Sequence, residues 1–385
     1  MNTLKIIYPQ EPEQSAFRKG LLLKVRTPYI IKGLIFLFII QLFYSHNVFS
    51  QEIEPNSNRD GWAGYPVLLY TSRTNLAFGA YGIRHFKYEG TPHKSTISTA
   101  LVYTLRGQIM TQLASKFYWS EYRLKSDINY IKFPDTFYGI GNNTLDDNAE
   151  EFSTERIGFD LTFQKQIFPD FYIGFLYDFE KHDLIETEPG GILAQGTLPG
   201  TQKAFKLSGM GLSVNYDTRD HVVYCCHGSF FEFNLTFYDD VIGSDYRFME
   251  YYLDLRHYFQ VNKNGILAFQ GTYTRVTGTA PIQAYPVLGD DRLRGFSARY
   301  KDRNLLTLQA EYRMKIWDNF GMAFFAGMGD VANHFSNFNP TEFKFGAGLG
   351  FRYTILKANN LNLRFDIGFG THSNSSMTFL PGEAF

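Results

Sequence analysis

Cysteine is almost missing from this 385-residue chain: there are two, Cys225 and Cys226, and they are neighbours. Bridging adjacent residues is strained, so no disulfide framework holds the fold together. His221 and His227 flank the pair, but the spacing in DHVVYCCHG matches no standard zinc pattern, and two free thiols beside a turn are the expected state. No metal and no cofactor is expected. Net charge is scarce as well. With 37 Lys and Arg against 38 Asp and Glu, the formal charge of −1 gives no electrostatic footprint for nucleic acid. Long apolar runs are equally rare. The longest, residues 33–44 (GLIFLFIIQLFY), is too short to cross a bilayer as a helix, and mean hydropathy is −0.23. No Gly-x-Ser-x-Gly elbow and no paired His/Ser constellation stands out, so an enzyme is not expected.

Aromatic residues and strict alternation are what the chain has in quantity. Aromatics make up 17%, with 38 Phe and 26 Tyr, more than soluble domains usually carry. From 304 to 317 the even positions are apolar (Leu306, Leu308, Ala310, Tyr312, Met314, Ile316). The odd ones are polar (Thr307, Gln309, Glu311, Arg313, Lys315). Period two is the mark of a strand with one apolar and one wet face. It recurs over 156–164, 231–237, 249–256, 343–353 and 361–369. A soluble antiparallel sandwich also alternates. Three features favour a membrane instead: the segments are long, an export signal precedes them, and no segment reads as a helix or linker. The reading is an all-β, closed antiparallel transmembrane β-barrel of about 16 strands. They lie near 65–71, 76–88, 95–106, 108–119, 122–133, 151–168, 171–186, 204–218, 228–240, 246–261, 264–278, 304–317, 320–332, 343–356, 360–374 and 376–385.

An even strand count puts both termini on one side, the periplasmic side of a bacterial outer membrane. The long connections 134–150, 187–203, 279–303 and 333–342 then face outward, and the tight turns at 169–170, 262–265, 317–319 and 357–359 face inward. The inner turn 217–228, which holds the cysteines, is the long exception. Ahead of the barrel, Lys19, Lys24, Arg26 and Lys32 precede the apolar run, and Val48 and Ser50 sit at −3 and −1 of a cleavage site before Gln51. Residues 1–50 thus read as a signal peptide with a long lead-in, the alternative being a short membrane anchor. Residues 51–60 form a short periplasmic segment and 61–385 the barrel. The seam would join the strands near 65–71 and 376–385. Pro381 donates no ladder bond and Gly382 packs no side chain, so this should be the weakest pairing.

The sixth outer connection carries Leu293-Arg294-Gly295-Phe296. Here the chain resembles the barrels of the outer-membrane assembly and translocation superfamily, which includes BamA, TamA and the two-partner secretion transporters. Asp217-Thr218-Arg219-Asp220 is similar to that family's inner turn after the eighth strand. Phe137-Tyr138-Gly139-Ile140-Gly141-Asn142 is similar to a surface-antigen motif near the third outer loop. Gly329-Asp330-Val331 and Gly382-Glu383-Ala384-Phe385 resemble the thirteenth strand and the C-terminus, with Phe385 as C-terminal signal. The resemblance covers roughly 60–385. It implies a bacterial surface antigen domain whose sixth outer loop folds into the lumen. It also implies a role in inserting or translocating outer-membrane components through a weak seam. The partners it implies are outer-membrane lipid and lipopolysaccharide, with client outer-membrane proteins or assembly machinery. Two departures stand out. Only 51–60 occupies the place of the family's periplasmic repeats, and Phe325-Ala326-Gly327 has glycine where many relatives carry an acid.

A guanidinium inside a barrel requires a carboxylate. Alternation puts Glu311 and Asp366 on the lumen face, as candidate partners of Arg294; Asp330 shares the parity of outward-facing Phe324 and Met328 and ranks below them. The alternative is a solvated loop arginine. Glycines 346, 348 and 350 would let the loop approach the wall, with Phe296 packed on them. Two functions follow: an assembly-type barrel working through its seam, or a passive channel or structural surface barrel plugged by 279–303.

Overall fold

The computed structural model describes residues 61–88, 94–202, 204–222, 224–289, 291–356 and 361–385. The expected signal peptide, its cleavage site, the 51–60 segment and the 357–359 turn lie outside the described residues. The described residues form eighteen strands, in chain order. They are β1 (Gly61–Thr71), β2 (Asn75–Phe86), β3 (Ser95–Thr104), β4 (Ile109–Trp119), β5 (Tyr122–Phe137) and β6 (Glu150–Phe168). Then come β7 (Phe171–Thr187), β8 (Ala204–Asp217), β9 (Gly228–Tyr238), β10 (Phe248–Asn262), β11 (Gly265–Gly278) and β12 (Val287–Leu288). The last are β13 (Tyr300–Lys301), β14 (Asn304–Lys315), β15 (Phe320–Ala332), β16 (Lys344–Leu356), β17 (Leu361–Gly370) and β18 (Ser375–Pro381). The short β12 and β13 pair with each other inside the connection 279–303. The other sixteen close into one antiparallel barrel, each beside its chain neighbour, with β11 beside β14 and β18 beside β1. Closure pairs the strand backbones except along part of the β1–β18 junction, and pairing is the condition for strands in lipid. No helix among the described residues is long and apolar enough to cross a membrane.

The alternation sorts side chains by face. On the outer face Leu308, Phe324, Phe351 and Phe369 are exposed, while inward-pointing Gln309, Arg352 and Asp366 are buried. On β6 the outward row Ile157, Phe159, Leu161, Phe163 is bracketed by Glu155 and Lys165. Ten strand residues at a tilt near 40° rise about 25 Å, the height of an outer-membrane apolar band. At the end of that row Trp119, Tyr122 and Phe163 stack with centroids 5.6–6.2 Å apart, as interfacial aromatics do.

Most strand ends agree with the pattern to within a few residues, but three readings are corrected. Strand β5 runs to Phe137, so the connection expected at 134–150 begins later. The seventeenth strand stops at Gly370, where Gly370 N–H bonds to Asn374 O (2.8 Å) and His372 and Ser373 turn through φ of 60°. The last strand stops at Pro381 and does not reach Phe385. Gly382, at φ 86°, diverts the chain inward. The seam is short in consequence: β1 meets β18 only where Tyr70 faces Phe379 and Thr71 faces Thr378. Along β2, by contrast, β1 is paired from end to end.

Candidate functional site: the ion-paired inner wall

Strands two residues out of phase deliver charge to one patch of the inner wall. Strand β14 contributes Glu311 and Arg313, β16 contributes Arg352, and β17 contributes Arg364 and Asp366. Between them on β15 stands Phe325, opposite Glu311 and Gly348. Gly348 is what admits this ring: a Cβ there would lie 2.4 Å from Phe325 Cζ.

Arg294 comes to the patch from the connection 279–303. Its Nη1 donates to Glu311 Oε2 and, at 2.9 Å, to Asp366 Oδ2. Its guanidinium lies 3.7 Å from the Phe325 ring centroid, so the cation is sandwiched by carboxylates and a π-face. The network extends both ways. Arg313 Nε donates to Glu311 Oε1 at 2.6 Å, and Arg352 Nη1 to Asp366 Oδ1 at 2.5 Å. Arg364 Nη2 donates to Asp291 Oδ1 at 2.6 Å, tying a second loop residue to the wall. Arg352 Nε donates to Glu383 at 2.7 Å, and Asn362 Nδ2 to the same carboxylate at 2.8 Å. Glu311 is fully buried and Arg294 2% exposed. Charges this deep are tolerated only when paired, and each of these arginines has a carboxylate partner, while Arg294 Nε and Nη2, Arg313 Nη1 and Arg364 Nε and Nη1 make no hydrogen bond.

The loop backbone reaches the wall through glycines. A Cβ on Gly346 would sit 2.3 Å from Arg294 O, and one on Gly368 2.7 Å from Gly295 N. Gly295 itself has φ 108°, a conformation that favours glycine. Phe296 lies over Gly346 and Gly370, and joins Leu288, Leu293, Tyr300, Leu305 and Val331 in a buried cluster. Gly327, where an acid is common in the family resembled, would place its Cβ 3.0 Å from Leu293 Cδ1 and 2.9 Å from Gln309 Cβ. No acid fits there. Leu293 takes the space, and the carboxylates come from β14 and β17 instead. Asp330 lies away from Arg294, against Asn142 Nδ2 (3.3 Å) and Lys344 Nζ (3.9 Å).

The surface-antigen motif meets the same loop. Gly141 N–H donates to Lys301 O (2.8 Å), while Arg299 donates to Asp146 and to Thr144 O, both at 2.6 Å. A further connection joins in, with Ile282 N–H donating to Pro199 O (2.9 Å) and Phe137, Leu193 and Ile282 packed together. At the opposite end, Asp217 takes two 2.8 Å bonds from Arg219, whose guanidinium covers Phe230 at 4.4 Å. Asp220 Oδ1 accepts from the backbone N–H of Cys226 (2.9 Å) and His227 (3.3 Å). These residues tie the inner turn together. Cys225 and Cys226 are free thiols, and among the described residues no three His, Cys, Asp or Glu groups converge on a metal-sized centre. Phe385 packs with Cys225, Tyr258 and Ala268, and its main-chain oxygen accepts from Arg313 Nη2 at 2.7 Å.

Sequence reasoning named Arg294, Glu311 and Asp366, but not Arg313, Arg364 or Glu383 as members of the network. Parity alone places both arginines on the inner face. Glu383 was hidden by reading its segment as strand.

A sixteen-stranded barrel with an apolar outer wall, and with its longest connection bonded to charged groups of the inner wall, is an outer-membrane β-barrel. Residues 88–378 match the Omp85 superfamily domain, and the chain belongs to that superfamily. Solved structures agree on the fold. BamA from Haemophilus ducreyi lacking POTRA domains 1–3 aligns with TM-score 0.57 at 12% identity, over 84% of this chain and 70% of that one. CdiB from Escherichia coli aligns with TM-score 0.56 at 10% identity, over 84% of this chain and 62% of its own. CdiB from Acinetobacter baumannii gives 0.53 at 10%, over 83% and 59%. The chain thus spans about six-tenths of the CdiB structures it matches. No curated protein matches it.

Proposed function

We propose that this barrel aids the insertion or translocation of outer-membrane components through its seam, by a physical mechanism without bond chemistry. The observation that carries the reading is the seam itself. Beyond Tyr70 and Thr71 the edge of β1, from Gly61 to Leu69, has no partner on β18. An unpaired strand edge is a template for another strand, so a client strand can add to β1 by main-chain hydrogen bonding. Strand β18, with seven residues, is the shortest of the barrel and leaves little apolar height on that side. The adjacent lipid must thin to match it. Membership of the Omp85 superfamily supports the same reading.

In this reading both termini are periplasmic and the long connections face outward, among lipopolysaccharide. Arg294 holds 279–303 inside as a plug, so the working route is lateral and not axial. The partners are client outer-membrane proteins or assembly machinery, together with the surrounding lipid. The alternative, a passive channel or structural surface barrel, draws on the more open wall of β4–β7, where inward-pointing Gln112 and Asp160 are exposed. It requires the plug and the overlying connections to move aside.

Depletion of the protein followed by profiling of the outer-membrane proteome separates the two. Broad loss of other barrels is expected. An unchanged proteome with altered solute uptake would replace assembly by the channel.

A further inference from the structure

The end of the barrel that holds the C-terminus contains a cavity of about 300 Å³ lined by Arg313, Lys315, Asn319, Arg352, Thr354 and Asn362, among others. Three cations, Arg313, Lys315 and Arg352, face it with one anion, Asp318, whose carboxylate lies 4.0 Å from Lys315 Nζ. Arg313 is 2% exposed and its Nη1 has no hydrogen-bond partner; Asn319 Oδ1, also buried, has none either. Buried polar atoms are ordinarily satisfied, so an orphaned guanidinium nitrogen and an orphaned amide on one cavity point to a ligand that completes them.

The chain's own tail shows what this floor recognises. Beside the cavity, Arg352 and Asn362 hold the Glu383 carboxylate at 2.7 and 2.8 Å, and Arg313 donates to the Phe385 main-chain oxygen at 2.7 Å. A carboxylate side chain and a main-chain oxygen are thus read by residues that also line the cavity. The Arg313 Nη2 that faces the tail is in use, and Nη1 is the group left over. The volume sits at the lower end of the roughly 300–1,000 Å³ typical of ligand pockets, enough for a short stretch of chain and too small for a folded element.

We propose that this cavity binds an extended acidic peptide segment, which enters from the terminal end and lies beside the tail. Its carboxylate meets Arg313 Nη1 and draws Lys315 from the exposed Asp318, and its main-chain N–H donates to Asn319 Oδ1. The inference stands apart from the seam mechanism, since a channel would carry the same cavity.

The test uses the full-length protein in lipid nanodiscs and a fluorescein-labelled Glu-Ala-Glu-Ala-Glu-Ala peptide, followed by anisotropy. Saturable binding that weakens with added salt is expected, with no binding of the Lys-Ala counterpart. Lys315→Gln and Asn319→Leu lie at the rim of the ion network, and each should weaken binding about tenfold. Heat-modifiable gel mobility verifies that the variants remain folded barrels. Absence of peptide binding would overturn the proposal, as would affinity unchanged in both folded variants. Displacement of the peptide by inorganic phosphate or by phosphatidylethanolamine vesicles at comparable concentration would also overturn it, in favour of a general anion or headgroup site.

Discussion

The wall built by β14–β17 and the wall built by β4–β7 obey the same alternation, yet their inner faces are covered to different degrees. On the first, Glu311 and Asp366 are 0 and 2% exposed, covered by the loop that carries Arg294. On the second, the Arg156–Glu180 pair (2.6 Å) keeps 32 and 21% of its side chains exposed. There Asp127, Asp160 and Asp178 stand directly opposite one another across three strands. Like charges so placed are destabilising; here Asp178 accepts from Tyr238 Oη at 2.9 Å, and the three side chains keep partial exposure that Glu311 and Asp366 lack. The difference teaches that parity decides which way a side chain points, while a distant loop decides what surrounds it.

Charge deletion should separate the walls most strongly. Glu311→Ala removes a carboxylate shared by Arg294, Arg313 and Arg352, leaving three buried cations to Asp366 and Glu383, and should cost about 3–5 kcal/mol. Glu180→Ala, on the more open wall, takes a partner from the part-exposed Arg156 and from His182, and should cost less, about 1–2 kcal/mol. Urea unfolding in detergent reads both, and equal losses would erase the distinction. A double-mutant cycle of Arg294→Ala with Asp366→Ala should show coupling of about 0.5–3 kcal/mol. Additive losses would make Arg294 a bystander.

Changing the outer face is the next largest perturbation. Leu308→Arg places a cation against lipid and should cost about 2–4 kcal/mol near the midplane. Gln112→Arg, inward on the more open wall, should be nearly neutral. Reversal of that order would remove the assignment of faces.

Smaller still is a steric probe of the covered wall. Gly346→Ala adds a methyl where Arg294 O already lies, and should cost about 1–3 kcal/mol while exposing 279–303 to protease. A loop as resistant as before would mean that it is not seated on this wall. The mildest test concerns the inner turn. Burial, then the neighbouring Asp220, pushes the Cys225 thiol up to about 12, and burial raises Cys226 as well. At pH 8, Cys225 should stay unlabelled by a water-soluble maleimide, and should label once residues 383–385 are deleted. Labelling of Cys225 in the intact chain would show that the tail does not cover it.

Much of this was legible in the residues. Period two fixed the faces of Gln309, Glu311, Arg352 and Asp366 without any coordinates, because a strand offers only two directions. That the seam is the weakest pairing was also readable, from Pro381 and Gly382, but not that it spans only two residue pairs. What Pro381 and Gly382 did further was not: Gly382 at positive φ ends the strand and sends Glu383 to Arg352. A Pro-Gly step reads equally as a weak strand or as a turn, and only the receiving arginines decide. The same limit hid Asp291 on Arg364, since loop contacts carry no period.

The central claim is that the seam opens during work. Tyr70 and Phe379 are direct partners across it, so their Cα atoms lie about 4.5–5.5 Å apart, within disulfide reach. A Tyr70→Cys/Phe379→Cys protein, in a background lacking Cys225 and Cys226, would be oxidised and tested for its capacity to restore the outer-membrane proteome of depleted cells. The account predicts that the locked protein fails and that reductant restores it. Full restoration by the locked protein would contradict the account.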